Sequence, residues 1–103
     1  MRADRFVELE TKSFYCYMVR CSNGAFYTGW TTDPERRVKT HNSGRGAAYT
    51  RMHCPVTLVY VETLESKQAA MMREREIKKY THERKQRLVT GQQQQAENME
   101  PNE

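Results

Sequence analysis

Arg37 and His41 stand four residues apart in the run PERRVKTHN, so a helix there presents both on one face. The planar guanidinium of an arginine matches the oxygens of a phosphate. A histidine beside it can donate to the same phosphate, or exchange a proton near neutral pH. An exposed basic helix would explain the pair equally well, and Arg36 on the neighbouring face reads as solvated. Tyr17 and Tyr27 lie in the two halves of FYCYMVRCSNGAFYTGW. A phenol has a reference pKa of about 10, so it accepts a proton only beside positive charge or a metal. Arg37 and a bound cation would supply these; otherwise two tyrosines on paired strands simply pack. Glu74, in AAMMREREIKKY, follows Ala70 by four residues and precedes Ile77 by three. It therefore borders the apolar stripe of its helix, where a carboxylate can hold a divalent cation through oxygen. Glu76 borders the same stripe on the other side, near Met72 and Tyr80, and the helical wheel does not choose between them. With Arg73 and Arg75 as neighbours, a salt-bridged surface helix is the ordinary alternative for Glu74.

These side chains need a scaffold, and the pattern supplies one. Residues 14–21 are aromatic, β-branched and sulfur-containing, which predicts a strand. Asn23-Gly24 predicts the hairpin turn, through the positive φ that a tight turn needs. Residues 26–30 return as the second strand. Gly29 inside it predicts a bulge, or a place where a group approaches the backbone closely. Thr32 with Glu35 three residues on predicts a capping box, with Pro34 in the first turn. That helix is expected to run to about Asn42 and stop at Ser43-Gly44. Val38 is its only clear aliphatic residue, so it lays a partly polar face against the hairpin, unlike a helix that buries an apolar stripe. Residues 43–54 read as a loop with little regular structure. Residues 56–61, after Pro55, form the strongest strand pattern and are expected to be central. Residues 66–80 predict a helix capped by Ser66. A further helix from Thr81 to about Val89 is expected to stop at Gly91. The order ββαβαα predicts a small α+β sandwich with a three-stranded antiparallel sheet flanked by helices.

The 103 residues make one domain with a modest core. The expected organisation is a polar arm at 1–13, the folded domain at 14–90, and a disordered, glutamine-rich acidic tail at 91–103. Net charge is +4, and it is uneven: between Phe14 and Leu88 there are 14 basic and 7 acidic side chains. A basic domain with an acidic tail suits a polyanionic partner. The three cysteines, Cys16, Cys21 and Cys54, have no CxxC spacing and predict neither a zinc site nor a disulfide framework. Cys16 and Cys21 sit at odd separation on one strand and point to opposite faces. The N-terminal residues contain no apolar targeting run, and nothing reaches membrane-spanning length, so a reduced cytoplasm is expected.

Four pieces in order carry a resemblance: YCYMVRCSNGAFYTG, TTDPERRVKTHNSGRGAAYTR, PVTLVYVE and AAMMREREIK. From about Phe14 to Leu88 the chain resembles the GIY-YIG nuclease superfamily, in its small single-domain bacterial form. It also resembles the nuclease domain of the Slx-type endonucleases. Residue by residue, the resemblance places the first motif tyrosine on Tyr17 and the second on Tyr27, with Gly29 as the motif glycine. It places the essential arginine on Arg37, the following histidine on His41 and the metal-binding glutamate on Glu74. The first segment here is Tyr15-Cys16-Tyr17, without its glycine. The resemblance implies hydrolysis of a phosphodiester with one Mg²⁺ or Mn²⁺ on Glu74. Tyr17 would activate or position the attacking water, Tyr27 and His41 would orient water and phosphate, and Arg37 would neutralise the developing charge. Either Tyr17 or His41 would be the formal base. Arg45 and Arg51 would hold the nucleic-acid backbone without reading sequence.

Three functional classes follow. The leading one is a divalent-metal-dependent DNA endonuclease, with branched or single-stranded DNA as substrate, in repair or recombination; RNA is not excluded. The second is a non-catalytic nucleic-acid-binding module on the same scaffold. The third is a subunit whose protein partner supplies specificity.

Overall fold

The computed structural model describes residues 13–98. Strands β1 (Phe14–Arg20), β2 (Phe26–Thr31) and β3 (Thr57–Leu64) form one antiparallel sheet in the order β2-β1-β3. Helices α1 (Pro34–Thr40) and α2 (Ala48–Met52) follow β2, joined by a wide helical turn at His41–Arg45. Helices α3 (Lys67–Lys78) and α4 (His82–Asn98) follow β3. The α+β architecture and the order ββαβαα are as expected, with α2 added where a loop was predicted. Ala48, Arg51 and Met52 favour a helix, and Thr50 in its middle is fully buried.

The central strand is β1, and the strand predicted to be central, β3, is at an edge. The expectation rested on the aliphatic run of β3. Centrality follows burial on both faces, and β1 reaches it with Cys16, Tyr17, Met18 and Val19, each at most 1% exposed. Its hairpin to β2 closes with Gly24 N–H donating to Cys21 O at 2.9 Å. Gly24 alone in that turn takes a positive φ, at 88°. The β1–β2 ladder runs without interruption from Tyr15↔Thr31 to Arg20↔Phe26.

Alternation along β1 divides the core in two. Cys16 and Met18 face Phe26, Tyr60, Ile77 and Val89, beneath α3 and α4. Tyr17, Val19 and Cys21 face Val56 and the half-buried Tyr27, Val38, Leu58 and Val61, on the α1 side. Cys16 and Cys21 thus lie on opposite faces, as their spacing predicts. Ala70 and Ile77, fully buried, anchor α3. Burying an isoleucine of this kind contributes about 1.5–3 kcal/mol. By contrast, α1 buries no residue completely. It holds its place through caps and neighbours.

Helix ends differ from expectation in two places. The N-cap of α1 is Asp33, not Thr32: Asp33 Oδ1 accepts from Arg36 N–H at 3.1 Å. A carboxylate at that position also complements the positive end of the helix dipole. Thr31 Oγ1 accepts from Asp33 N–H and shapes the entry. Ser66 caps α3 as predicted, accepting from Ala69 N–H. Helix α4 does not stop at Gly91 but continues through the glutamines to Asn98. One glycine in a helix costs about 1 kcal/mol, and Gln92 offsets it. Gln92 Nε2 donates to Val61 O at 2.6 Å, and its Oε1 accepts from Val61 N–H at 3.1 Å. The side-chain amide thus takes the place of a neighbouring strand on the open edge of β3. Residues 1–12 of the expected arm and 99–103 of the expected tail lie outside the described residues.

Gln92→Ala removes both hydrogen bonds and leaves the Val61 backbone unpaired. It is expected to destabilise the domain by about 1–2 kcal/mol, read as a lower urea midpoint. Gln93→Ala, on an exposed position, is the control and should shift stability by less than about 0.5 kcal/mol.

Candidate active site

Gly29 is where the site begins. The ladder pairs it with Tyr17 across β1 and β2, and no bulge interrupts the pairing. The other expectation for Gly29, a close approach to its backbone, is what the structure contains. A Cβ at Gly29 would lie 2.6 Å from the Tyr17 hydroxyl and 2.8 Å from the ring carbon bearing it. The phenol therefore lies over the bare backbone of β2, and Tyr17 is 1% exposed.

His41 meets that hydroxyl. It opens the wide turn after α1 and is fully buried. Its Nε2 is 2.9 Å from the Tyr17 hydroxyl oxygen, and its Nδ1 is 2.8 Å from Thr50 Oγ1. Tyr27, half-buried, stacks edge-on against the His41 ring at 5.4 Å between centroids. A Cβ at Gly46 would overlap His41 Nδ1, so Gly46 forms the other wall of the imidazole socket. Two further side chains fix the turn. Asn42 holds the start of β3 with Nδ2 donating to Val56 O and Oδ1 accepting from Val56 N–H, at 3.0 and 2.7 Å. The Cys54 thiol donates towards the His41 and Thr50 carbonyls. Sequence reasoning did not single out Asn42, Gly46, Thr50 or Cys54. The His41-Asn42 pair and the glycines were visible, but their partners lie across a turn whose course the sequence does not predict.

Arg37 is half-buried one turn before His41. It lines an open depression of about 270 Å³ with Thr31, Thr32, Asp33, Arg36 and Thr40. Its charge also acts on Tyr17. Burial pushes the Tyr17 phenol up, and the nearby positive charge of Arg37 opposes that rise. Burial and the Arg37 charge both lower the His41 pKa, so the imidazole is neutral near pH 7. Arg36 is exposed, as expected.

The choice left open on α3 is decided by packing. Glu74 pairs with Lys78 Nζ at 3.2 Å, and that ammonium lies 5.9 Å from the centroid of the Tyr27 ring. The Glu74 charge also acts on Tyr17. Glu76 points to the opposite flank, where Arg73 bridges it to Glu62 at 2.9 and 2.8 Å. Glu74 is therefore the carboxylate on the tyrosine side. Among the described residues no three His, Cys, Asp or Glu side chains converge to hold a metal. Both His41 nitrogens are already engaged. A closed cage is thus ruled out by the donor set. A lone carboxylate does fit a magnesium-like cation, which keeps most of its waters and takes further oxygens from a substrate phosphate.

Arg45 and Arg51 are exposed on the segment whose inner side holds His41 and Thr50. Arg51 Nη1 reaches Gly46 O at 3.4 Å. Tyr49 and Met52 share that outer surface, 41% and 79% exposed. No helix among the described residues is long and apolar enough to cross a membrane.

The profile of the GIY-YIG catalytic domain matches residues 13–87. A UPF0213 protein of Haloquadratum walsbyi is 55% identical over 75 residues, which are 73% of this chain and 84% of the relative. A UPF0213 protein of Staphylococcus aureus is 49% identical over 77 residues, covering 75% and 94%. A solution NMR structure of a protein from E. faecalis superposes with a TM-score of 0.52 at 38% identity, covering 90% of this chain and 94% of that one.

Two outcomes check the geometry. Gly29→Ala is expected to cost about 1–3 kcal/mol through overpacking, and less in a Tyr17→Phe background, which removes the nearest clashing atom. Strict additivity in thermal melts of the four proteins would contradict the contact. The second concerns pH. The unfolded chain carries His41 at its ordinary pKa of about 6.5 and so binds a proton that the folded chain resists. Stability is expected to fall as pH drops through that value. His41→Gln should melt lower at pH 7.5 but lose this part of the slope.

Proposed function

The chain belongs to the GIY-YIG catalytic domain family, a nuclease family, and on that footing we propose that it is a divalent-metal-dependent endonuclease that hydrolyses phosphodiester bonds of DNA. The observation that carries this reading is the buried Tyr17 hydroxyl, hydrogen-bonded to His41 Nε2 and within the field of the Arg37 charge. A phenol held against a neutral imidazole can accept a proton from water while passing its own to the ring. Arg37 lines the open depression and its charge acts on Tyr17, so it can hold a phosphate on the Tyr17 side. Its fixed charge suits the negative charge that develops on the phosphate oxygens, commonly the largest electrostatic contribution to such reactions.

Tyr27 and Gly46 keep the imidazole in place, and Tyr27 has the Lys78 ammonium over its other surroundings. Mg²⁺ or Mn²⁺ at Glu74 would supply Lewis-acid polarisation of the phosphate and stabilise the leaving oxygen. Arg45 and Arg51 would contact the nucleic-acid backbone from the outer side of the same turn. The net charge of +4 favours that approach and makes binding salt-sensitive. Preference for branched or single-stranded DNA would then come from substrate shape or from a protein partner.

The test is cleavage of flapped, branched and single-stranded DNA, with matched RNA, in Mg²⁺ and in Mn²⁺. Metal-dependent cutting is expected. Arg37→Ala should lose about 10²–10³-fold, and Tyr17→Phe about 10²–10⁴-fold. Glu74→Ala should abolish the metal dependence, and Glu76→Ala should cut normally. Near-normal cutting by Tyr27→Phe would make its hydroxyl a supporting group. Undiminished cutting by Glu74→Ala and Arg37→Ala would overturn the assignment. Salt-sensitive DNA binding without any cutting would replace it with the non-catalytic reading.

A further inference from the structure

We propose that Thr50 is a positioning residue that holds His41 in the tautomer protonated at Nδ1, so that Nε2 offers its lone pair to the Tyr17 hydroxyl. The position of each proton follows from counting donors. A threonine hydroxyl has one proton. Thr50 Oγ1 gives it to the Ala47 carbonyl at 2.9 Å, which is an acceptor only. The contact of 2.8 Å between Thr50 Oγ1 and His41 Nδ1 is then made by an Nδ1–H donating to oxygen. A neutral imidazole carries a single N–H, so Nε2 is bare.

The other end of the ring supports the same assignment independently. Tyr17 is buried, and its hydroxyl is hydrogen-bonded to His41 Nε2 at 2.9 Å. With Nε2 protonated, that hydroxyl would receive the ring proton and its own proton would lose the one acceptor it has there. With Nε2 bare, every bond is satisfied in one direction: Tyr17 to His41, His41 to Thr50, Thr50 to the Ala47 carbonyl. An unmade bond at a buried hydroxyl is unfavourable, so the two ends of the ring select one tautomer. Gly46 makes this possible, because any side chain there would push Nδ1 off Thr50.

The consequence for catalysis rests on the hydrolytic reading above. As water oxygen bonds to phosphorus and the bond to the leaving oxygen breaks, a water proton passes to the Tyr17 oxygen. The phenolic proton passes to His41 Nε2, and the leaving oxygen takes a proton from solvent. His41 then returns its extra proton to solvent. Throughout, Nδ1–H stays on Thr50, which orients the ring as a third group orients the base in other nucleophile–base pairs. Tyr17 is thus the group that meets water, and His41 the group that stores the proton.

The experiment is nitrogen NMR of the His41 ring in the full chain, uniformly ¹⁵N-labelled, at pH 7.5. A protonated Nδ1 with a pyridine-like Nε2 is expected; a protonated Nε2 in the wild type overturns the proposal. This readout needs no substrate, so it stands or falls apart from nuclease activity. Thr50→Val, close in shape but without the hydroxyl, should lose the single tautomer. Its kcat should fall by about 10–100-fold, with KM little changed. Thr50→Ser should restore both the tautomer and kcat. A folded Thr50→Val with wild-type tautomer and kcat also overturns it. Should Thr50→Val fail to fold, the wild-type spectrum and Thr50→Ser decide the matter.

Discussion

A phenol occupies the space that a side chain at residue 29 would need, and the rest of the site is built outward from that contact. The register of β1 and β2 sets Tyr17 over Gly29. With a bare backbone beneath it, the ring can lie flat enough to bury its hydroxyl and still present it to His41. A shift of one residue in that register would turn Tyr17 into the opposite core, since alternate strand residues face opposite sides. Cys16 and Met18 pack there against Ile77 and Val89, and they pin the register as firmly as the turn does.

The opposite face of the sheet is unusual for a small core. Its buried groups include His41 and Thr50, both without solvent exposure. Burying polar groups is unfavourable unless each is hydrogen-bonded. Here each ring nitrogen and the threonine hydroxyl have a partner. Helix α1, which leads into His41, buries nothing completely, so it does not hold itself down by apolar area. Its attachment passes instead through Asn42 on the Val56 backbone, the Cys54 thiol on the turn carbonyls, and half-buried Val38. Stability and chemistry are therefore divided between the two faces. The α3–α4 side carries the apolar packing, and the α1–α2 side carries the polar chain.

Much of this was legible in advance because it depends on local spacing. Alternation in FYCYMVR and the Asn-Gly turn predict the hairpin. The interval between Arg37 and His41 puts them on adjacent turns whatever the helix packs against. Less was legible where a preference was outweighed. Gly91 and the glutamines predict a helix end and a disordered tail; Gln92 finds the open β3 edge, and the helix continues. Thr32 and Asp33 both suit a cap, and the entry shaped by Thr31 selects Asp33. The aliphatic run of β3 predicts a central strand, but β1 receives cover on both faces and takes that place.

The amino-acid sequence by itself determined the order of the strands and of α1, α3 and α4, since periodicity and turn signals are local, and through its resemblance to the family it named the candidate residues Tyr17, Tyr27, Arg37, His41 and Glu74. Tertiary structure alone showed which flank each of Glu74 and Glu76 occupies. A helical wheel gives each carboxylate an angle about its own axis, but the flank that meets Tyr27 depends on how α3 lies across the sheet. Tertiary structure alone also brought Thr50 to His41 and Gly29 beneath Tyr17. Those contacts join residues on different elements, and no periodicity within either element encodes where the other will lie.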